Sequence, residues 1–236
     1  MDLKLEKGPL SLLAIALAII TATWIMLLGW NLSLSITQHD GLTVAYPVLK
    51  ELFEANGFWQ NLIYRTDRMG GVHIHALHGT LPISQWLAWV GASPVFALNF
   101  TILVFQTLIA YLGLTLARQL NDTPEPNPTD SIAGIMLFAF TPILGWKIGY
   151  GHFPQMIAVC GWFAFLSLLA LPRLKKPTLT HIAVCLFALT HSLSTIGQQT
   201  LIYCAFFGFP LLVIFYLKGK NIVLPITLSA ITIGLI

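Results

Sequence analysis

The sequence predicts an all-α fold, a polytopic bundle of about seven transmembrane helices with a long extracytoplasmic loop carrying surface helices. Three observations predict it. Of 236 residues, 56% are hydrophobic and only 9% are charged, where a soluble globular domain carries about 25% charged residues. The mean hydropathy of +0.79 agrees. The apolar residues form long unbroken runs rather than alternating, which suits helices and not the strands of a barrel. Finally, the basic residues gather at the ends of these runs.

The runs can be taken in order. A span needs about 20 apolar residues. The first, 10–30, follows Lys4 and Lys7. It is too long for a signal-peptide core and no small-residue cleavage site follows it, so it reads as an uncleaved span. The others are 94–116, 131–146 (which is short), 153–171, 179–194, 200–217 and the start of a seventh at 222–236. The chain reaches Ile236 inside an apolar run with no charged residue to bound it, as an N-terminal part of a longer protein would.

Cytoplasmic loops are enriched in Lys and Arg. With Lys4 and Lys7 in the cytoplasm, Arg118, then Arg173, Lys175 and Lys176, then Lys218 and Lys220 all fall on the cytoplasmic side. The loop 33–93 is then outside, as are 147–152 and 195–199. Trp30, Trp86, Trp89 and Trp146 gather near the outer boundary, as an interfacial aromatic belt does. The net charge of +3 thus reads as topology, not as a nucleic-acid surface. This places the chain in a plasma (inner) membrane, multi-pass, with a cytoplasmic N-terminus. The proline-rich 119–130 is a solvated connector. Cys160, Cys185 and Cys204 lie in apolar stretches and read as small core residues.

About sixty residues is too long for a plain connection, and loops of that size are usually functional or disordered. The outer loop is rich in apolar and aromatic residues, which argues against disorder. It opens on His39-Asp40-Gly41. Val44, Val48, Leu49, Leu52 and Phe53 then share one helical face, opposite Lys50, Glu51 and Glu54. That is the pattern of an amphipathic helix lying on a membrane surface, ended by Asn56-Gly57. Arg65, Asp67 and Arg68, then Gly70-Gly71, then His73, His75 and His78 follow, and 81–90 leads back to the membrane.

A first span, an acidic residue just outside it and a surface helix in a long outer loop resemble the GT-C superfamily of membrane glycosyltransferases. The stretch Asp40…Tyr46-Pro47…Leu52…Gly57-Phe58-Trp59…Asn61, with Gly70-Gly71 and Pro82, looks like the bacterial multispanning members. Gly145-Trp146-Lys147…Gly151-His152 is similar to their second outer loop, and His191…Gln198-Gln199…Tyr203 to the approach to a later span. The likeness spans nearly the whole chain as architecture with scattered residues. It implies transfer of a sugar from a polyprenyl-phosphate donor to an acceptor at the outer face of the cell envelope. Many members carry paired acids in the first loop, whereas this chain has His39-Asp40, a single carboxylate. No soluble cofactor is implied; a divalent metal is compatible but not required. The partners are the lipid-linked donor and membrane lipids, with no nucleic acid.

Asp40 is the leading catalytic candidate, because transfer to a hydroxyl needs a base for the acceptor proton. Its competing role is to cap the surface helix. His39 would orient Asp40 or contact phosphate, or simply sit at the interface. Lys147 and His152 flank an outer turn containing Gly149-Tyr150-Gly151 and could stabilise the leaving phosphate; the plainer role for Lys147 is to reach lipid head groups. Arg65 and Arg68, with Asp67 beside them, could hold a diphosphate or form a solvated ion-pair face. His191 and Gln198 are candidate supporting groups near the outer end of their span, while His181 near the inner end reads as structural. No regular element aligns His73, His75 and His78, so no metal site is assigned. The other class of function open to the chain is a non-enzymatic transporter, flippase or assembly subunit, which should place polar or broken-helix sites near the midplane.

Overall fold

A computed structural model describes residues 9–27, 83, 86–87, 90–121, 128–142, 153–171 and 178–203. Among the described residues there are helices and no strands. The five longest are α1 (Pro9–Leu27), α2 (Pro94–Asn121), α3 (Pro128–Ala139), α4 (Phe153–Leu169) and α5 (Leu179–Tyr203). Two stretches, Leu10–Leu27 in α1 and Pro94–Arg118 in α2, are long and apolar enough to cross a membrane. The apolar stretches of α3, α4 and α5 are shorter. Only 11% of the α1 stretch is buried by the rest of the protein, against 72% of that in α2. An apolar helix so thinly covered is costly in water, which fits membrane association.

Local chemistry sets the helix starts. Gly91 has φ of 81°, a left-handed conformation that a glycine adopts without strain. Beside it the Ala92 N–H donates to the Leu87 carbonyl at 2.9 Å, closing the short turn that precedes α2. Ser93 then caps α2: its Oγ accepts from the Phe96 N–H at 3.2 Å. Pro94 takes the first helical position, where its missing N–H costs nothing. Thr178 caps α5 in the same way, accepting from the His181 N–H at 3.2 Å.

Three helices differ in extent from the spans drawn on the sequence. α2 runs past 116 to Asn121, into the stretch 119–130 read as a connector, whose last residues in turn begin α3 at Pro128. α5 runs unbroken through 195–199, where the polar residues suggest an outer turn. That stretch has one glycine and no proline, and glutamine is a good helix former, so polarity alone does not stop the helix. At 25 residues it is about 37 Å long, against about 30 Å of hydrocarbon in a bilayer. α3 is the opposite case. It has 12 residues, about 18 Å, and stops at Ala139. Phe140 and Thr141 are not helical, and Pro142 is helical again. Pro142 explains the break: it disfavours helical geometry at Thr141 and has no N–H for the Phe138 carbonyl four residues back.

α2 is the central element and touches all four other helices, while α4 and α5 form the most extensive pair. One apolar cluster joins Phe105, Ile109 and Leu112 of α2 to Met156, Ile157 and Cys160 of α4 and to Cys185, Ala188 and Leu189 of α5. A second joins Ala16 and Ile20 of α1 to Ala110 and Leu114 of α2 and Ile135 and Ala139 of α3. At this second seam a glycine makes room for a ring: a Cβ on Gly113 would stand 2.6 Å from the Phe138 ring. Leu10, Leu17, Met26 and Leu27 of α1, Phe96 of α2 and Leu137 of α3 face outward.

Candidate functional site

Polar side chains inside apolar helices are either bound to their own backbone, used between helices, or functional. Several are of the first kind. Thr23 Oγ1 donates to the Ile19 carbonyl at 2.8 Å, and Thr107 Oγ1 to the Leu103 carbonyl at 2.8 Å. Thr115 bonds back to Tyr111 and Leu112. These bonds stay within one helix and carry no site.

Gln106, completely buried, is of another kind. It lies near the middle of α2, and its side chain joins three helices. The Trp24 indole N–H of α1 donates to Gln106 Oε1 at 2.6 Å. Gln106 Nε2 donates to the Ala139 carbonyl at 3.0 Å. Ala139 is the last residue of α3, and its carbonyl is one of the orphans every helix end leaves. Gln106 therefore supplies the donor that an uninterrupted helix would have supplied four residues on. Across the break, the Phe140 ring lies 6.1 Å from the Trp24 ring, tilted by 51°. The amide and the indole are neither nucleophiles nor acids, so this group of residues can bind or position but cannot transfer a proton.

A second contact on α2 lies between one and two turns further along. The Tyr111 hydroxyl and His181 Nδ1 of α5 share a hydrogen bond of 2.9 Å, and Cys185 Sγ lies 3.7 Å from His181 Nε2. The rings of Tyr111 and His181 are 5.7 Å apart. Tyr and His can exchange a proton, but both are enclosed, at 0% and 3% exposure. At the cytoplasmic end expected for α2, Arg118 Nη2 donates to Ser131 Oγ of α3 at 3.0 Å.

Of the residues singled out in the sequence, His191 is described in full. It is buried at 6% exposure, with its ring 5.7 Å from Phe105 and 4.6 Å from Phe187. It thus faces the seam with α2, between aromatic rings. Gln198 lies within α5. His39, Asp40, Arg65, Asp67, Arg68, Lys147 and His152 lie outside the described residues, as do His73, His75 and His78. Among the described residues no group of three or more His, Cys, Asp or Glu could hold a metal ion.

Three residues that join helices, Trp24, Gln106 and Tyr111, were not picked out from the sequence. A signal for one was there: Gln106 is a lone amide in the apolar run Phe100–Gly113, and a polar group in a span calls for a named partner. The Thr141-Pro142 pair was the matching signal for a helix break. Comparison of the chain with protein-family models, with curated proteins and with solved structures finds no match.

Proposed function

We propose that the chain is a multi-pass membrane protein of about seven spans, with its N-terminus in the cytoplasm of a plasma (inner) membrane. In this reading it is a GT-C-type glycosyltransferase that moves a sugar from a polyprenyl-phosphate donor to an acceptor at the outer face. The acceptor hydroxyl oxygen attacks the anomeric carbon, the bond from that carbon to the phosphate oxygen breaks, and the acceptor proton passes to the Asp40 carboxylate. The lipid phosphate leaves with the bonding pair. Lys147 and His152, with Arg65 and Arg68, stabilise that growing charge. His39 and Asp67 support the acid and the cations, with His191 and Gln198 of α5 as further supporting groups.

The observation that carries the reading is the layout His39-Asp40-Gly41, followed by an amphipathic pattern, directly after the first apolar helix. The test is Asp40→Asn in full-length protein, assayed for sugar transfer from a lipid-linked donor. A fall of about 100-fold or more in turnover is expected for loss of a general base. Unchanged turnover removes Asp40 from the mechanism.

One observation favours a second reading, a flippase or transporter. α3 breaks beside Gln106, about halfway along α2, and discontinuous helices near the midplane are a feature of transporters. Vesicles containing the protein and a labelled polyprenyl-phosphate sugar separate the two. Movement of intact lipid between leaflets without sugar transfer supports the second reading. Transfer without movement supports the first.

A further inference from the structure

We propose that the break in α3 lines a water-filled recess that opens to the outer face and reaches the middle of the membrane. The inference rests on the multi-pass membrane reading above and on neither of the two activities.

Depth comes first. Arg118 of α2 is bonded to Ser131 of α3 at the inner level, and Asp130 lies in the first turn of α3. Ala139 is about 14 Å further along α3 than Asp130. Its partner Gln106 lies midway between Pro94 and Arg118, about 18 Å from each. The hydrocarbon core of a bilayer is about 30 Å thick, so the backbone leaves the helix near its centre. There Pro142 offers no N–H to the Phe138 carbonyl, and Phe140 and Thr141 are not helical. Backbone in that state is tolerated at membrane depth only when enclosed by protein or beside water. The break is not enclosed by protein: Phe140 and Thr141 are half-buried and Pro142 is exposed. Water is the remaining solvent for it.

The inner route is closed. Ala16, Ile20, Ala110, Leu114, Ile135 and Ala139 pack in one apolar cluster, between the break and the level of Arg118. Water therefore reaches the break from the outer face. The recess ends on the C-terminus of α3, the negative end of the helix dipole, where carbonyl oxygens face outward from the last turn. It suits solutes that donate hydrogen bonds or carry positive charge, namely hydroxyl-bearing groups and small cations, and it disfavours phosphates.

The test uses the full-length chain in membrane vesicles, with Cys160, Cys185 and Cys204 replaced by alanine and one cysteine introduced. Thr141→Cys is expected to react with a membrane-impermeant methanethiosulfonate at least tenfold faster than Leu137→Cys, whose position faces outward on intact helix. The reaction should proceed in right-side-out vesicles and not in inverted ones. A cationic reagent should outpace an anionic one of similar size by about threefold, after correction for their rates with a free thiol. Pro142→Ala restores an N–H for the Phe138 carbonyl and should slow the reaction of Thr141→Cys about tenfold, because the backbone closes into helix. Slow reaction at both positions overturns the recess and leaves the membrane reading standing. Fast reaction at both overturns the membrane reading, and the recess with it. Labelling from the inner side alone overturns the outward opening, and equal rates for the two charges overturn the solute preference. A rate unmoved by Pro142→Ala shows that the break does not admit the water, which also overturns the proposal.

Discussion

Gln106 and Tyr111 sit on the same helix, a turn or two apart, and both reach out of it through a hydrogen bond. Gln106 bonds to a backbone carbonyl at a helix end and to an indole. Tyr111 bonds to a side chain on an intact helix. Removing the Tyr111 hydroxyl would leave the backbone of α5 fully bonded within its own helix. Removing the Gln106 amide takes the donor from a carbonyl that the break has already deprived of its helical partner. The difference teaches that a polar side chain in an apolar bundle matters most where the backbone is incomplete.

Four substitutions sharpen this contrast, each read as a change in unfolding free energy in detergent. Gln106→Leu should be the most damaging, at roughly 2–3 kcal/mol, because the buried Ala139 carbonyl and the half-buried Trp24 indole lose their partner. A cost near that of Tyr111→Phe would erase the distinction between the two contacts. Gly113→Ala comes next, at about 2 kcal/mol, because its Cβ would stand 2.6 Å from the Phe138 ring. Adding Phe138→Leu should recover much of that loss, and strict additivity of the two changes would show that the Phe138 ring moves aside more easily than the structure indicates. Tyr111→Phe should cost about 1 kcal/mol or less, the usual scale for a single bond between spans. Gly134→Ala should be the smallest, under about 0.5 kcal/mol. The atom its Cβ would meet, at 2.8 Å, is the far end of the Leu114 side chain, which can swing aside.

What could be read from the sequence divides along similar lines. Helical character and the start of α2 were legible because they depend on local chemistry: an apolar run, then Ser93-Pro94 as cap and first turn. The continuity of α5 was not. Thr195, Gln198 and Gln199 look like a surface turn when only polarity is weighed, yet nothing in the stretch forbids a helix. The third span was drawn short, at 131–146, but the end of α3 at Ala139 was not foreseen, although Pro142 was there to signal it; the partner that Gln106 gives Ala139 was hidden. That pairing joins positions 33 residues apart in the chain, and no local pattern announces which carbonyl a buried amide will meet. The proposed site rests on Asp40, Lys147 and His152, which were chosen by layout and chemistry. Of their companions, His191 shows how far layout can guide: its place in α5 was legible, but its aromatic neighbours Phe105 and Phe187 were not.

The close approach at Gly113 has a consequence for how this sequence can drift. Any side chain at position 113 needs a smaller residue at 138, and a larger residue at 138 needs no Cβ at 113. A Cβ at 113 is the change that is not tolerable alone for long, so related chains that carry one should carry a smaller residue at 138. For inheritance, the seam between α2 and α3 behaves as one character written in two places.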